Sequence, residues 1–321
     1  MNERRLDKIP SENINKILVT GSSGTIGTRL CEKLLAKGYK VTGVDWKHNK
    51  WNRNIDKITI IGDLRDKKTF DKVPKDHDVV IHLAANAMVY DSVVNPDLAF
   101  DNFITVYNTL EFARKSNIKK FMFASSREVY GNTAKTVLKE DEANIVNCES
   151  PYSASKFGGE VLTRSYKNCY NIEFVIFRFS NVYGMYDDSN RVIPQFIRLA
   201  KQGKDLTVFG KDKSLDFTYI DDNIKGIMLC VENFDKIKND TINIAFGKGT
   251  TILSIAELIK KKLNPKINII LKEKRTGEVL RYTADISRIK AIGYKPETDV
   301  IEGISKSIEW YENNVSINKQ K

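Results

Sequence analysis

Cysteine and histidine are scarce in this chain of 321 residues, with four of the first and three of the second. Cys31, Cys148, Cys169 and Cys230 are widely scattered and show no C-x-x-C spacing. That excludes a disulfide framework and the usual zinc motifs, so no metal is expected. Long hydrophobic runs are missing too. No stretch approaches 18 uninterrupted apolar residues, and the opening MNERRLDKIPSENINK has no apolar segment of the signal-peptide kind. The expectation is a soluble, cytoplasmic protein with no membrane contact. Long blocks of charge of a single sign are also absent. The net charge of +11 comes from 52 Lys+Arg against 41 Asp+Glu, and in stretches such as KDKSLD the lysines alternate with acids. Such dispersal speaks against a nucleic-acid footprint and leaves anionic small ligands as the secondary partner class.

What is present is a rhythm. After a polar tail to about residue 14, short apolar runs alternate with longer helical periodicity. KILVTG precedes a helix over about Thr25 to Lys37; KVTGVD, ITIIGD and DVVIHLA follow; a helix spans about Pro96 to Ser116; KKFMFASS, a helix over about Tyr152 to Asn168, and FVIFRFS complete the series. Near-continuous apolar strands between helices predict a parallel sheet covered on both faces, a doubly wound α/β fold of the Rossmann type. This first domain is expected over 15–185, with a return contribution from about 216–246. Residues 186–215 and 247–315, with a helix near Ile193 to Gln202, the strand LTVFG and a helix near Ser254 to Leu263, read as a smaller α/β lobe that binds substrate. A small ligand belongs in the cleft between them.

KILVT runs directly into GSSGTIG, with Gly21, Gly24 and Gly27 at three-residue spacing before the helix. Glycines there permit a tight turn and let backbone N–H groups at the helix amino terminus approach a pyrophosphate. Asp45 closes the next strand. Its carboxylate suits the two hydroxyls of an adenosine ribose and would repel a 2′-phosphate, which points to NAD rather than NADP. Asp63 in GDLRD lies at another strand end, where adenine can be met. Ala84 and Ala85 in HLAANA are small where backbone passes close to the cofactor.

PYSASKF places Tyr152 four residues before Lys156, on one face of a helix. Together with FASSREVYG, PYSASKFGGE, FRFSNVYG, DFTYIDD, NIAFGKGTT and RTGEV, in that order, these motifs resemble the extended short-chain dehydrogenase/reductases that act on nucleotide sugars. The match runs from about Lys16 to Tyr311. That family includes epimerases, 4,6-dehydratases and decarboxylases. The resemblance implies an NAD enzyme in which Tyr152 takes a proton from a sugar hydroxyl while the adjacent C–H gives hydride to NAD. Lys156 would lower the phenol toward neutral pH, together with the nicotinamide cation, and hold the nicotinamide ribose. It further implies that Ser126 hydrogen-bonds the reacting hydroxyl, and that Thr25, Ile26, Leu64 and Asn102 join the cofactor site. Asn181 and Arg275 are implied at the substrate phosphates and Glu278 near the nucleotide ribose, with a homodimer built on the helices near 96–116 and 152–168.

Two departures bear on the reaction. Where many relatives read Arg-Asp-Phe, this chain has Leu215-Asp216-Phe217, so one phosphate-binding arginine is missing. Glu128 occupies the place of the glutamate base of 4,6-dehydratases and decarboxylases, but Arg127 stands where a dTDP-type dehydratase has its aspartic acid. Glu128 can act on a C5 proton or simply pair with a cation. The leading expectation is a nucleotide-sugar 4-epimerase that returns the hydride to C4. The alternatives are a 4,6-dehydratase or C5 epimerase using Glu128, a C4 dehydrogenase releasing a 4-keto sugar (for example a GDP-linked one), and a non-catalytic dinucleotide-binding protein.

Overall fold

A computed structural model describes residues 14–314; the expected polar tail lies almost wholly outside them. In chain order the strands are β1 (Lys16–Thr20), β2 (Lys40–Asp45), β3 (Thr59–Ile61), β4 (Val79–His82), β5 (Lys120–Ser126), β6 (Val137–Leu138) and β7 (Glu173–Phe179). They continue with β8 (Asn181–Tyr183), β9 (Leu206–Phe209), β10 (Ser214–Tyr219), β11 (Asp240–Ile244), β12 (Gly249–Thr251), β13 (Ile269–Lys272) and β14 (Arg281–Ala284). Seven of them form one sheet in the order β11-β7-β5-β4-β1-β2-β3, and every pairing in it is parallel. Chain order reverses between β1 and β4, and ligands of open α/β sheets bind at such a point, beyond the carboxyl ends of the strands.

The apolar runs explain why this sheet is covered on both sides. Side chains alternate across a strand. Ile17, Val19, Val79, Ile81, Met122, Val175 and Phe177 enter one core cluster, while Leu18, Val80, Phe121, Phe123, Phe174 and Ile176 enter the other. A strand apolar at every position therefore feeds two cores, and helices must close both.

Helices α1 (Thr25–Ala36), α2 (Arg53–Lys57), α3 (Val89–Val94), α4 (Asp97–Lys115) and α5 (Pro151–Tyr170) lie in the first part of the chain. The long ones match the expected spans within two residues at each end. The short α3 has no periodicity of its own to announce it. Helix α5 begins sharply because Pro151 sits at its first turn and Ser150 and Ser153 cap each other reciprocally. It then lies close on β5: a Cβ on Gly159 would come within 2.5 Å of the Phe123 ring.

The expected return segment is split. Helix α6 (Val192–Lys201) precedes β9, and α7 (Ile220–Glu232) together with β11 returns to the large sheet, whereas β10 lies in a five-stranded sheet with β6, β8, β12 and β14. The smaller region has no core of its own: Ile193, Phe196, Leu206, Val208, Ile255 and Ile259 belong to the same cluster as Val19 and Phe177. Asp216 ties β10 to its surroundings, its buried carboxylate accepting from the N–H groups of Phe246, Gly247 and Ala284. Burial pushes that carboxyl up to about 6 despite the three bonds.

Candidate active site

A groove of about 530 Å³ opens along the carboxyl ends of β1, β2 and β4, lined by Gly21, Gly24, Asp45, Asp63, Leu64, Ala84, Ala85 and Asn102 among others. Its floor is set by the glycine triplet. Gly21 has φ +74°, and a Cβ there would lie 2.8 Å from Ala84 N. A Cβ on Gly27 would lie 2.0 Å from Gly21 O, so α1 presses directly on the turn. Gly24 precedes α1 as its cap, and its own Cβ would meet Gly21 O at 3.3 Å. Backbone N–H groups at the head of a twelve-residue helix thus face a cradle that side chains would fill, which suits a pyrophosphate.

Asp45 is buried at the end of β2 and accepts from Ser23 N at 2.9 Å and Lys47 N at 3.2 Å. Burial raises its carboxyl above the ordinary range, and those backbone bonds oppose the rise. Asp63 does not stand free: Arg65 grips it at 2.6 and 3.0 Å and bridges to Asp101 at 2.9 Å, holding the Asp63 carboxyl below its usual range. These residues fit the adenosine half of a dinucleotide.

The other implied cofactor residues divide in two. Asn102 is buried and fully engaged, accepting from Asn86 N at 2.7 Å and donating to Asn86 O and Ser155 Oγ. It positions the loop after β4 against α5. Thr25 likewise spends its hydroxyl on Tyr186 O at 3.0 Å, Ile26 packs against one core cluster and Leu64 is buried in the other. Of these four, Asn102 and Leu64 line the groove itself.

Ser126 ends β5, and Tyr152 and Lys156 sit on the facing side of α5; the tyrosine and lysine are buried. Ser126 Oγ accepts from Glu128 N at 3.2 Å, and its hydroxyl favours ionisation of the Tyr152 phenol. Lys156 Nζ donates to Ala124 O at 2.8 Å and lies 5.8 Å from the Tyr152 ring centre. The spacing does bring the pair together, and among the protein's own groups burial dominates the electrostatics. Burial pushes the phenol up to about 12, and the opposing influences come from Arg191 and Ser126. Lys156 is itself buried, which brings its ammonium down to about 8. Protein groups alone therefore hold Tyr152 protonated, because desolvation outweighs nearby positive charge.

Glu128 is buried beside this trio. Arg127 Nη2 donates to its Oε1 at 2.6 Å, while Glu128 Oε2 and Arg127 Nη1 have no partner among the described residues. Burial raises the Glu128 carboxyl, and Arg127 and Lys213 oppose that. On the substrate side, Asn181 donates to Asp216 O at 3.0 Å and Glu278 accepts from Lys213 Nζ at 2.7 Å. The Arg275 guanidinium lies 3.8 Å from the Phe209 ring centre and 4.9 Å from that of Tyr90. It is held on aromatic faces rather than loose in solvent. Leu215 is buried, so no cation replaces the missing arginine at that position. Sequence reasoning missed Arg191 and Lys213. Neither lies in a motif, and both reach the site from segments distant in the chain.

Among the described residues no cluster of three or more His, Cys, Asp or Glu side chains is placed to hold a metal. The sequence profile described as the NAD dependent epimerase/dehydratase family matches residues 17–245. A Methanocaldococcus jannaschii protein provisionally named a UDP-glucose 4-epimerase is 37% identical over 307 residues, covering 93% of this chain and 99% of its own. The UDP-N-acetylglucosamine 4-epimerase of Methanobrevibacter ruminantium, solved with UDP-N-acetylmuramic acid, is 32% identical with a TM-score of 0.84, covering 94% of this chain and 99% of that one. The dTDP-glucose 4,6-dehydratase of Streptomyces venezuelae, solved with NAD bound, is 25% identical with a TM-score of 0.85, covering 93% and 97%. The glycine cradle, the Asp45 carboxylate and the Tyr152–Lys156 pair thus stand within a match spanning most of the chain, and the protein belongs to the NAD-dependent epimerase/dehydratase family.

Proposed function

We propose that this protein is a nucleotide-sugar 4-epimerase that uses NAD and leaves it unchanged overall. Glu128 carries the choice among the family's reactions. One oxygen of its carboxylate is held by Arg127, and that preceding residue is a cation rather than an acid. Elimination of water from a 4-keto sugar needs a base at C5 and an acid at the leaving hydroxyl, and here the acid position is filled by a guanidinium.

NAD, when bound, supplies the reversible redox chemistry at C4. Gly21, Gly24 and the head of α1 would hold its pyrophosphate and Asp45 its adenosine ribose. Tyr152 Oη handles the proton of the sugar's 4-hydroxyl, Ser126 Oγ orients that hydroxyl, and Lys156 favours the phenolate when the proton has left. Burial of the phenol and the ammonium keeps bulk water from competing for this proton. Asn181 and Arg275 would meet the diphosphate and Glu278 the nucleotide's ribose. An arginine seated on two aromatic rings presents a planar, pre-ordered fork to phosphate oxygens.

A second reading has one observation in its favour. Glu128 Oε2 is buried without a partner and its carboxyl is raised, as suits a base toward C5 in a 4,6-dehydratase or C5 epimerase. We also propose a cytoplasmic homodimer. Among the described residues no helix is long and apolar enough to cross a membrane. Phe100, Phe103 and Tyr107 share one face of α4 and are exposed, as is Val161 on α5, and Phe103 lies within 3.2 Å of where a Gly158 Cβ would be. Such an apolar stripe across two helices suits a second copy.

Proton NMR of the protein with NAD and UDP-, dTDP- and GDP-sugars in deuterated water tests the reaction. Inversion at C4 without deuterium incorporation is expected. Deuterium at C5 or a 6-deoxy-4-keto product would instead favour the Glu128 reading.

A further inference from the structure

Trp46 directly follows Asp45, and its indole stands 64% exposed on the wall of the cofactor groove. Of the large apolar side chains exposed among the described residues, Trp46 alone lines that groove. Scattered surface hydrophobics are ordinary; an indole left bare at the mouth of a ligand groove is not the same case. The backbone that carries it is held firmly. The Asp45 carboxylate accepts from the backbone N–H groups of Ser23 and Lys47, so the residue suited to the ribose also fixes the backbone on either side of the indole. Across the same end of the groove lie Gly62, Asp63 and Leu64, with the Arg65 guanidinium locked by Asp63 and Asp101. Lys47 Nζ sits 6.0 Å from the Trp46 ring centre, and among the described residues no other aromatic ring or cation pairs with this indole.

We propose that Trp46 is the platform on which the adenine of NAD stacks. The inference rests on the NAD reading of the groove and adds a residue to it. An adenine next to a ribose held at Asp45 has two π faces to desolvate, and a nearby indole offers a matching flat surface. Stacking of this kind tolerates any purine, so Trp46 would set affinity for the adenosine half and leave the nicotinamide half untouched.

The test uses the full chain, freed of co-purified nucleotide, titrated calorimetrically with NAD, ADP-ribose and nicotinamide mononucleotide. In Trp46→Ala the Kd of NAD and of ADP-ribose is expected to rise about tenfold, with that of nicotinamide mononucleotide unchanged. Trp46→Phe should stay within about threefold of the parent, because it keeps an aromatic face. ADP-ribose should also quench part of the tryptophan fluorescence, a quench absent in Trp46→Ala; Trp51 and Trp310 pack on each other away from Asp45 and supply the residual signal. A Kd for NAD in Trp46→Ala within twofold of the parent, or an undiminished quench, overturns the proposal. A parent chain that takes up no NAD overturns the cofactor reading and this proposal with it.

Discussion

The two sides of the cleft are held in place by different forces. On the cofactor side the shape comes from backbone pressed against backbone: Gly21 against Ala84, Gly27 against Gly21, and Asp45 on the amides of its neighbours. On the substrate side it comes from charges paired across long separations in sequence, Lys213 with Glu278 and Arg275 on Phe209 and Tyr90. The first arrangement leaves no room for an extra atom. The second is a set of partners that can be exchanged, and departures such as Leu215 can accumulate there without disturbing the fold. Within one cleft, one side is therefore shaped by close backbone packing and the other by paired charges and aromatic faces.

Tyr152 stands where the two sides meet, and its removal should give the largest effect. Tyr152→Phe keeps the buried ring and loses the proton carrier. Turnover of the sugar nucleotide is expected to fall about 10³-fold, with the Kd of NAD within twofold of the parent. NMR of product formation and calorimetry separate the two numbers. Ordinary turnover in this variant would sink the mechanism.

Gly27→Ala attacks the cofactor side alone. The new Cβ would sit 2.0 Å from a backbone oxygen that cannot rotate away, so α1 must shift from the turn. A loss of about 3 kcal/mol in unfolding free energy is expected from such overpacking, together with weaker NAD binding. A denaturant titration that showed full stability would mean that steric exclusion does not shape this side.

The contrast also decides what could be read from the sequence. The placement of the glycine triplet, Asp45 and the Tyr152–Lys156 pair was legible because it depends on neighbours within a few residues and on helix and strand periodicity. The seven-stranded sheet was legible for the same reason, since each strand is apolar on both faces. The Arg127–Glu128 bond could be anticipated as one of two options because the partners are adjacent. Lys213, Arg191 and the three amides that converge on Asp216 could not, because their partners lie in segments brought together only by the folded chain. For a related reason, spacing shows an ammonium near Tyr152 but not the desolvation by which the protein's own groups raise the phenol.

Lys156 lets that desolvation be measured. Its native ammonium titrates at about 8 because burial disfavours the charged form, whereas an unfolded lysine titrates near ~10.5. Below pH 8 both states carry the proton and the native protein bears the cost of a buried charge. Between about 8 and ~10.5 the unfolded state binds more protons, so native stability rises with pH. Lys156→Met should thus stabilise the cofactor-free protein at pH 7 by about 2 kcal/mol, the shift's order of 3 reduced by the lost bond to Ala124 O. The advantage should shrink as pH climbs from 8 to 10. Denaturation midpoints of both proteins across that range check the sign, and a gap that widened with pH would mean the lysine is not penalised by burial.

The smallest effect is expected on the substrate side, and it measures how exchangeable that side is. Lys213 and Glu278 are both largely buried and lie 2.7 Å apart, and burial lowers the Lys213 ammonium while Glu278 opposes that. Removing one partner strands the other: Lys213→Met leaves a carboxylate without its cation, and Glu278→Gln leaves an ammonium beside Arg127. Either change should cost stability, whereas the double variant removes both charges and should recover part of the loss. A double-mutant cycle is expected to give a coupling of about 1 kcal/mol, with NAD affinity the same in all four proteins. A coupling near zero would mean that the pair neither holds the lobe nor needs each other. A change in NAD affinity would mean that the two sides of the cleft are not separable in the way their contacts imply.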